Sequence, residues 1–262
     1  MPSVRPPGIG DMSQPPSIIF VHGAFSRAAH CEALMGYFAA AGFDCLASSL
    51  PGHDPSDPLA LARLSLDDYH TALERVRSGL PTAPIVIGHS MGGLLAQQLA
   101  ATGPCAALVC LASAPPGMLP AQLRALPHLA RLLPRILAGC PIRPPAATFR
   151  YLALHDLPAG EQNDLVDTFG SESGRAYRSM ILGTARVRAS AVQCPVLCIS
   201  GGQDRIISRR VAKRVAAYYG ADHHLLPDRG HWLLARAGLE KVAKPVLEWL
   251  ERKGLHPARA AV

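Results

Sequence analysis

Ile85-Val86-Ile87-Gly88-His89-Ser90-Met91-Gly92-Gly93 is the stretch that decides how this chain folds. The β-branched residues at 85–87 mark a buried strand. They run directly into Gly-His-Ser-Met-Gly at 88–92, which fits G-x-S-x-G. Residues 91–102 then follow a helical pattern, closed by Gly103-Pro104. A strand that turns this sharply into a helix holds the central serine in strained dihedrals above the carboxyl end of the strand. Gly88 and Gly92 let neighbouring backbone come close. The Ser90 and Met91 amides open the helix, where an anion is favoured. The pattern on its own arises by chance; the strand before it and the helix after it give Ser90 its meaning.

The same alternation extends outward in both directions. Further strands are expected at 17–21, 43–47, 106–111, 195–200 and 223–226. Helical patterns lie between them, at 27–41 up to Gly42, from a capping box at Ser65-Leu66-Asp67-Asp68, and at 239–252 with Pro245 as a kink position. The Ser65 helix carries Leu66, Tyr69, Leu73, Val76 and Leu80 on one stripe. Strand–helix alternation of this kind predicts an α/β fold: a mostly parallel, doubly wound sheet flanked by helices. Residues 115–189 break the alternation. They are rich in Leu, Ala, Arg and Pro, and they predict a helical insertion of short helices broken at Pro127 and Pro134. The expected organisation is a core at 17–114 and 190–262, a helical insertion at 115–189, and a flexible tail at 1–16. The tail is rich in Pro, Gly and Ser, lacks the apolar run of a secretion signal, and contains Met12 as a second candidate start.

Composition narrows the function classes. The chain has 262 residues, 49% of them hydrophobic and 17% charged, which suits one sizeable core and excludes a disordered chain. No apolar run is long enough for a membrane span. Seven scattered cysteines without a CxxC pair predict reduced thiols, a cytoplasmic location and no metal site. The formal net charge is +7. From Arg75 to His155 there is no Asp or Glu, yet Arg75, Arg77, Arg124, Arg131, Arg135, Arg143 and Arg150 fall there. Solvated surface arginine is the ordinary reading; a basic mouth for an anionic or carrier-bound substrate is the sharper one. Arg124, Arg131 and Arg135, spaced by seven and four, would share a helix face if Pro134 leaves the helix intact. No aromatic-interleaved basic motif points to nucleic acid.

A serine hydroxyl needs a base. Eleven histidines compete, and His231, in Asp228-Arg229-Gly230-His231-Trp232 after the last strand, occupies the place that the chain order Ser…Asp…His gives the base. His223 and His224 fall inside a strand, and His89 is expected to point along its strand, away from Ser90. The acid that holds the imidazole tautomer is Asp204, which follows the 195–200 strand in Gly201-Gly202-Gln203-Asp204, with Asp222 and Asp228 as competitors. An oxyanion needs two donors. One is the Met91 amide, the other an amide after His22-Gly23: Ala24, or alternatively Phe25. Phe25, His89 and Trp232 are the candidate substrate-binding side chains.

Taken together, Val21-His22-Gly23, Leu50-Pro51-Gly52-His53, Gly88 to Gly93, Gly201 to Asp204 and Gly230-His231-Trp232 resemble the α/β-hydrolase superfamily over about residues 18–250. The His-Gly-Ala opening is similar to plant-type methylesterases, hydroxynitrile lyases and small bacterial esterases. That resemblance implies a helical cap over the site and no cofactor or metal. The sequence departs from the pattern in two places: the first strands of the family are expected to be reduced or absent, because Ile18 begins so early, and Ser48-Ser49 stands where relatives often carry Asp before Leu-Pro-Gly. The expected activity is cleavage of a small hydrophobic carboxylic ester through an acyl-enzyme. Thioester or lactone hydrolysis with the same residues is the alternative, followed by cyanohydrin-type proton transfer or a ligand receptor.

Overall fold

In a computed structural model of the chain, residues 15–257 are described. The expected tail falls almost wholly outside them, as does Met12. The sheet is built from β1 (Ile18–Val21), β2 (Cys45–Ala47), β3 (Ile85–His89), β4 (Ala107–Leu111), β5 (Val196–Gly201) and β6 (Asp222–Leu226). These six strands run in the order β2-β1-β3-β4-β5-β6, and every pairing is parallel. Parallel strands are covered on both faces, which is why β1, β3, β4 and β5 read as unbroken apolar runs.

Alternate side chains enter two cores. Ile18, Phe20, Ile85, Ile87, Val109 and Ile199 face one side. There they meet Leu34 and Phe38 of α1 (Glu32–Ala40) and Val246 and Trp249 of the closing helix, Leu239–Arg252. Ile19, Val21, Val86, Leu108 and Cys198 face the other side, with α3 (Leu66–Ser78), α4 (Met91–Thr102) and the Arg209–Tyr219 helix. A short α2 (Pro58–Leu61) precedes α3. Ser65 caps α3 through the predicted box: its hydroxyl accepts from the Asp68 amide and the Asp68 carboxylate accepts from the Ser65 amide.

Strand order fixes where a ligand can sit. The chain leaves β1 for β2 on one side and then places β3 on the other side of β1. Such a reversal opens a crevice at the carboxyl ends of the strands. The loop after β1 and the turn after β3 therefore meet, and these carry His22-Gly23-Ala24 and Ser90.

Between β4 and β5 lie α5 (Leu126–Leu137), α6 (Ala146–Leu152), α7 (Ala159–Val166) and α8 (Gly174–Leu182). The helices after β5 and β6 are α9 (Arg209–Tyr219) and α10 (Leu239–Arg252). Two expectations are corrected here. Pro127 and Pro134 do not break the helix: α5 runs through both. Pro127 lies in the first turn, where its missing amide has no partner to lose. Pro134 lies on an exposed face, where the Ala130 carbonyl it frees can meet water. The helix expected over 27–41 begins instead as a short 3-10 turn, Ala28–Cys31, before α1. Pro245 likewise sits inside α10 without ending it.

Candidate active site

Ser90 has φ 55° and ψ −118°, a region that side-chain-bearing residues rarely adopt. Its amide donates to the Leu111 carbonyl and its carbonyl accepts from the Ala114 amide, both at 3.0 Å, so β4 pins the turn. Only glycine fits on either side. A Cβ on Gly88 would lie 2.2 Å from the Gly92 carbonyl oxygen, and one on Gly92 2.2 Å from that of Val21. Removing two side chains thus lets α4 start against β1 and lifts Ser90 into the crevice.

The other predicted partners come to it. His231 Nε2 accepts from Ser90 Oγ at 2.9 Å, and Nδ1 donates to Asp204 Oδ2 at 2.8 Å. The second Asp204 oxygen accepts from the Ile206 and Ile207 amides at 2.7 and 2.8 Å. Asp204 and His231 are buried, with Ser90 only partly so. The competing carboxylates are engaged elsewhere: Asp222 accepts from Trp249 Nε1 and pairs with Lys253, and Asp228 pairs with Lys241. His223 binds Ser200 Oγ from the edge strand. His89 does not simply point away. Its Nε2 donates to the His231 carbonyl at 2.9 Å, its ring lies 5.1 Å from that of His231, and burial drives its pKa down to about 3. It is a neutral prop beneath His231.

After β1, His22 donates from Nδ1 to the Gly23 carbonyl and accepts the Leu50 amide at Nε2, both at 2.9 Å. Burial foremost lowers its pKa to about 3, so it stays neutral in this double role. Phe25, with φ 64°, directs its amide at Glu172 Oε2, 3.4 Å away. The Ala24 and Met91 amides donate to no loop, turn or side-chain acceptor among the described residues. Of the two candidate donors after Gly23, Ala24 is thus the uncommitted one.

A cavity with about 1080 Å³ of empty space, its mouth included, opens over Ser90. Phe25, His89 and Trp232 all line it, with Leu119, Leu129, Leu132, Phe149 and Ile181. Among the described residues no Asp, Glu, Lys or Arg does; the polar lining beyond Ser90, His231 and His89 is His128, Thr148 and Tyr177. His128 Nδ1 bonds the Thr148 hydroxyl at 2.9 Å. The arginines are arranged differently from expectation. Arg135 turns to the Pro141 carbonyl, whereas Arg124 joins Arg210 and Arg214 of α9 around an adjacent groove. Ala121 lines both cavity and groove.

Several supporting residues were missed by sequence reasoning. Arg229 pairs with Asp156 at 3.2 Å and donates to the Trp232 carbonyl, bracketing His231. Glu172 lies in Gly170-Ser171-Glu172-Ser173-Gly174, which reads as an exposed turn, yet it is 0% exposed. No local signal marks either residue, because their side-chain partners come from distant segments.

A model described as the alpha/beta hydrolase family matches residues 18–244. A pyrethroid hydrolase of Sphingobium wenxiniae is 31% identical over 83 residues, 32% of this chain and 30% of that protein. The match thus spans under a third of that relative's length. The magnesium-chelatase 30 kDa subunit of Rhodobacter capsulatus is 26% identical over 255 residues, 90% of this chain and 87% of its own. Among solved structures, a pyrethroid hydrolase from Sphingobium faniae superposes with TM-score 0.73 at 21% identity, covering 90% of this chain and 97% of that one. An Arabidopsis methylesterase gives 0.68 at 18%, covering 90% and 98%. Among the described residues no helix is long and apolar enough to cross a membrane.

Proposed function

The chain belongs to the alpha/beta hydrolase family, and we propose that within it the protein is a serine esterase acting on small, apolar, uncharged carboxylic esters. The hydrogen-bonded line Ser90–His231–Asp204 at the floor of an apolar cavity carries this reading. His231 Nε2 takes the Ser90 proton as Oγ attacks the ester carbonyl. Asp204 keeps the other ring nitrogen protonated and stabilises the imidazolium. The Ala24 and Met91 amides receive the oxyanion. His231 then protonates the leaving alcohol, and water activated by the same nitrogen releases the acid from the acyl-Ser90. The lining without formal charge favours neutral acyl and alcohol groups. The relative named as a magnesium-chelatase subunit carries no hydrolytic activity in its name; the intact line of three side chains here favours hydrolysis. Free thiols, including Cys110 and Cys198 in register on neighbouring strands, suit a reducing cytoplasm.

Short nitrophenyl esters and a fluorophosphonate probe test the reading. Turnover is expected, with one label per chain at Ser90. Ser90→Ala should remove both; if it leaves either unchanged, Ser90 is not the nucleophile. An acyl-enzyme trapped on acid quench separates hydrolysis from cyanohydrin-type proton transfer and from a ligand receptor.

One observation favours a second reading, thioester cleavage on a phosphate-bearing carrier. Arg124, Arg210 and Arg214 line a groove next to the cavity, and none of them pairs with an acid among the described residues. A thioester KM that rises steeply with salt would support it, because such contacts are screened. Lactones would use the same groups with no demand on the groove.

A further inference from the structure

Glu172 is the most completely enclosed carboxylate of the insertion between β4 and β5, and the mechanism above does not use it. Four donors converge on it, three of them from distant parts of the chain. Oε1 accepts from Tyr69 Oη at 2.8 Å and from the Ser173 amide at 2.7 Å. Oε2 accepts from His53 Nε2 at 3.0 Å and faces the Phe25 amide at 3.4 Å. Two residues earlier, the Gly170 amide donates to the Phe25 carbonyl at 2.8 Å. Both backbone polar groups of Phe25 are therefore held by one short segment, 170–172. Phe25 needs holding, because its φ of 64° is costly for a residue with a bulky side chain.

The consequence falls on Ala24. Its amide belongs to the Gly23–Ala24 peptide, whose carbonyl is fixed by His22 Nδ1 at 2.9 Å and by the Ser26 amide at 3.3 Å. Its carbonyl belongs to the Ala24–Phe25 peptide, whose N–H is directed at Glu172. Two adjacent peptide planes are thus anchored, one by the core and one by the insertion. Glu172 also fixes His53, whose ring packs edge-on against His22 with centroids 5.2 Å apart. One carboxylate thus holds the second plane directly and reaches the first through His53.

We infer that Glu172 is a positioning residue: it holds Phe25 and His53 so that the Ala24 amide, rather than that of Phe25, points into the crevice as an oxyanion donor. The insertion then completes the oxyanion site as well as covering it. This inference rests on the ester-cleaving reading. Removal of Glu172 affects a group that interacts with the transition state, so the loss falls on kcat and leaves KM nearly untouched.

Glu172→Gln keeps the shape but offers one acceptor oxygen where four donors converge. Its per-site kcat, with sites counted by fluorophosphonate titration, should drop by about 10- to 100-fold, a partial version of losing an oxyanion donor outright. KM should stay within about 2-fold, and the Ki of a trifluoromethyl ketone analogue of the tetrahedral state should rise in step with the loss of kcat/KM. The pH profile of kcat/KM should keep its midpoint, because His231 and Asp204 are unaltered. Glu172→Asp, one methylene shorter, should show the same split and covers the case in which the Gln variant does not fold. A per-site kcat within about 2-fold of wild type in either folded variant overturns the inference, as does loss explained wholly by fewer titratable sites. Wild-type turnover that does not depend on Ser90 overturns the ester reading itself. Ser90-dependent turnover with unchanged variants overturns only the role of Glu172.

Discussion

Arg229 stands two positions before His231, and its side chain is 7% exposed while that of its partner Asp156 is 3% exposed. It also donates to the Trp232 and Ala237 carbonyls, so one side chain shapes the chain on both sides of the base. Breaking a buried pair from one end leaves the other charge without compensation. Asp156→Ala should therefore cost about 3 kcal/mol or more in urea unfolding, with a lower midpoint and an unchanged m-value. Asp228→Ala, which removes only the exposed partner of Lys241, should leave the midpoint where it is. Equal effects of the two variants would show that the buried pair contributes no more than a surface one. The contrast also shows what a sequence reveals at this scale. Ser90, Asp204 and His231 were readable because a motif and a chain order mark them. Asp156 and Glu172 look like ordinary loop acids until segments more than 70 residues apart bring them their partners.

Elements show the same division. β1, β3, β4 and β5 were readable because a buried parallel strand is a short, largely apolar run bounded by turn residues, whereas β6, Asp-His-His-Leu-Leu at the sheet edge, carries little of that signal. The insertion was readable only as helical. Its proline positions misled, since a proline's effect depends on where the helix starts and on which face it occupies, and both are set by packing. Between β1 and α4 the deciding parts are glycines. Gly92→Ala would place a methyl group 2.2 and 2.3 Å from the Val21 and His22 carbonyl oxygens, so α4 must shift from β1. The Ser90 turn and the loop after β1 would separate, and esterase turnover should fall by about 10-fold or more with a lower Tm. Gly36→Ala is the matching control, an exposed position inside α1 with nothing within 4 Å of the added carbon. It should keep full turnover and gain about 0.5–1 kcal/mol, measured by the same unfolding and ester assays. Loss of activity in the control, or retention of it in Gly92→Ala, would contradict this account of the close contact.

At the scale of the whole molecule, buried histidines set the response to acid. Burial is the first cause of the lowered pKa in His22 and His89, each to about 3, and in His30, to about 4. Each acts as a neutral acceptor or prop: His22 Nε2 takes the Leu50 amide, and His30 Nδ1 takes the Arg27 amide. In the unfolded chain all three bind a proton near pH 6.5, so below that pH the unfolded state holds more protons than the folded one. Stability is complete above about pH 6.5 and falls as the pH drops toward the folded values. Each fully titrating group contributes about 1.4 kcal/mol per pH unit, so His22 and His89 together give about 3, and the less buried His30 adds a smaller share. His53 runs the other way, because the Glu172 carboxylate outweighs its burial and raises its pKa. Its contribution is fully present below about pH 6.5, adds no slope there, and is lost as pH rises through the folded value. The two directions together place the maximum of stability near neutrality. Urea midpoints measured from pH 8 to pH 5 should peak there and decline steeply between 6.5 and 5, with two to three protons taken up on unfolding. A flat or rising midpoint over that acid range would mean that these rings are solvated or charged in the folded protein. The neutral hydrogen-bonding roles of His22 and His89 beside Ala24 and His231 would then not hold.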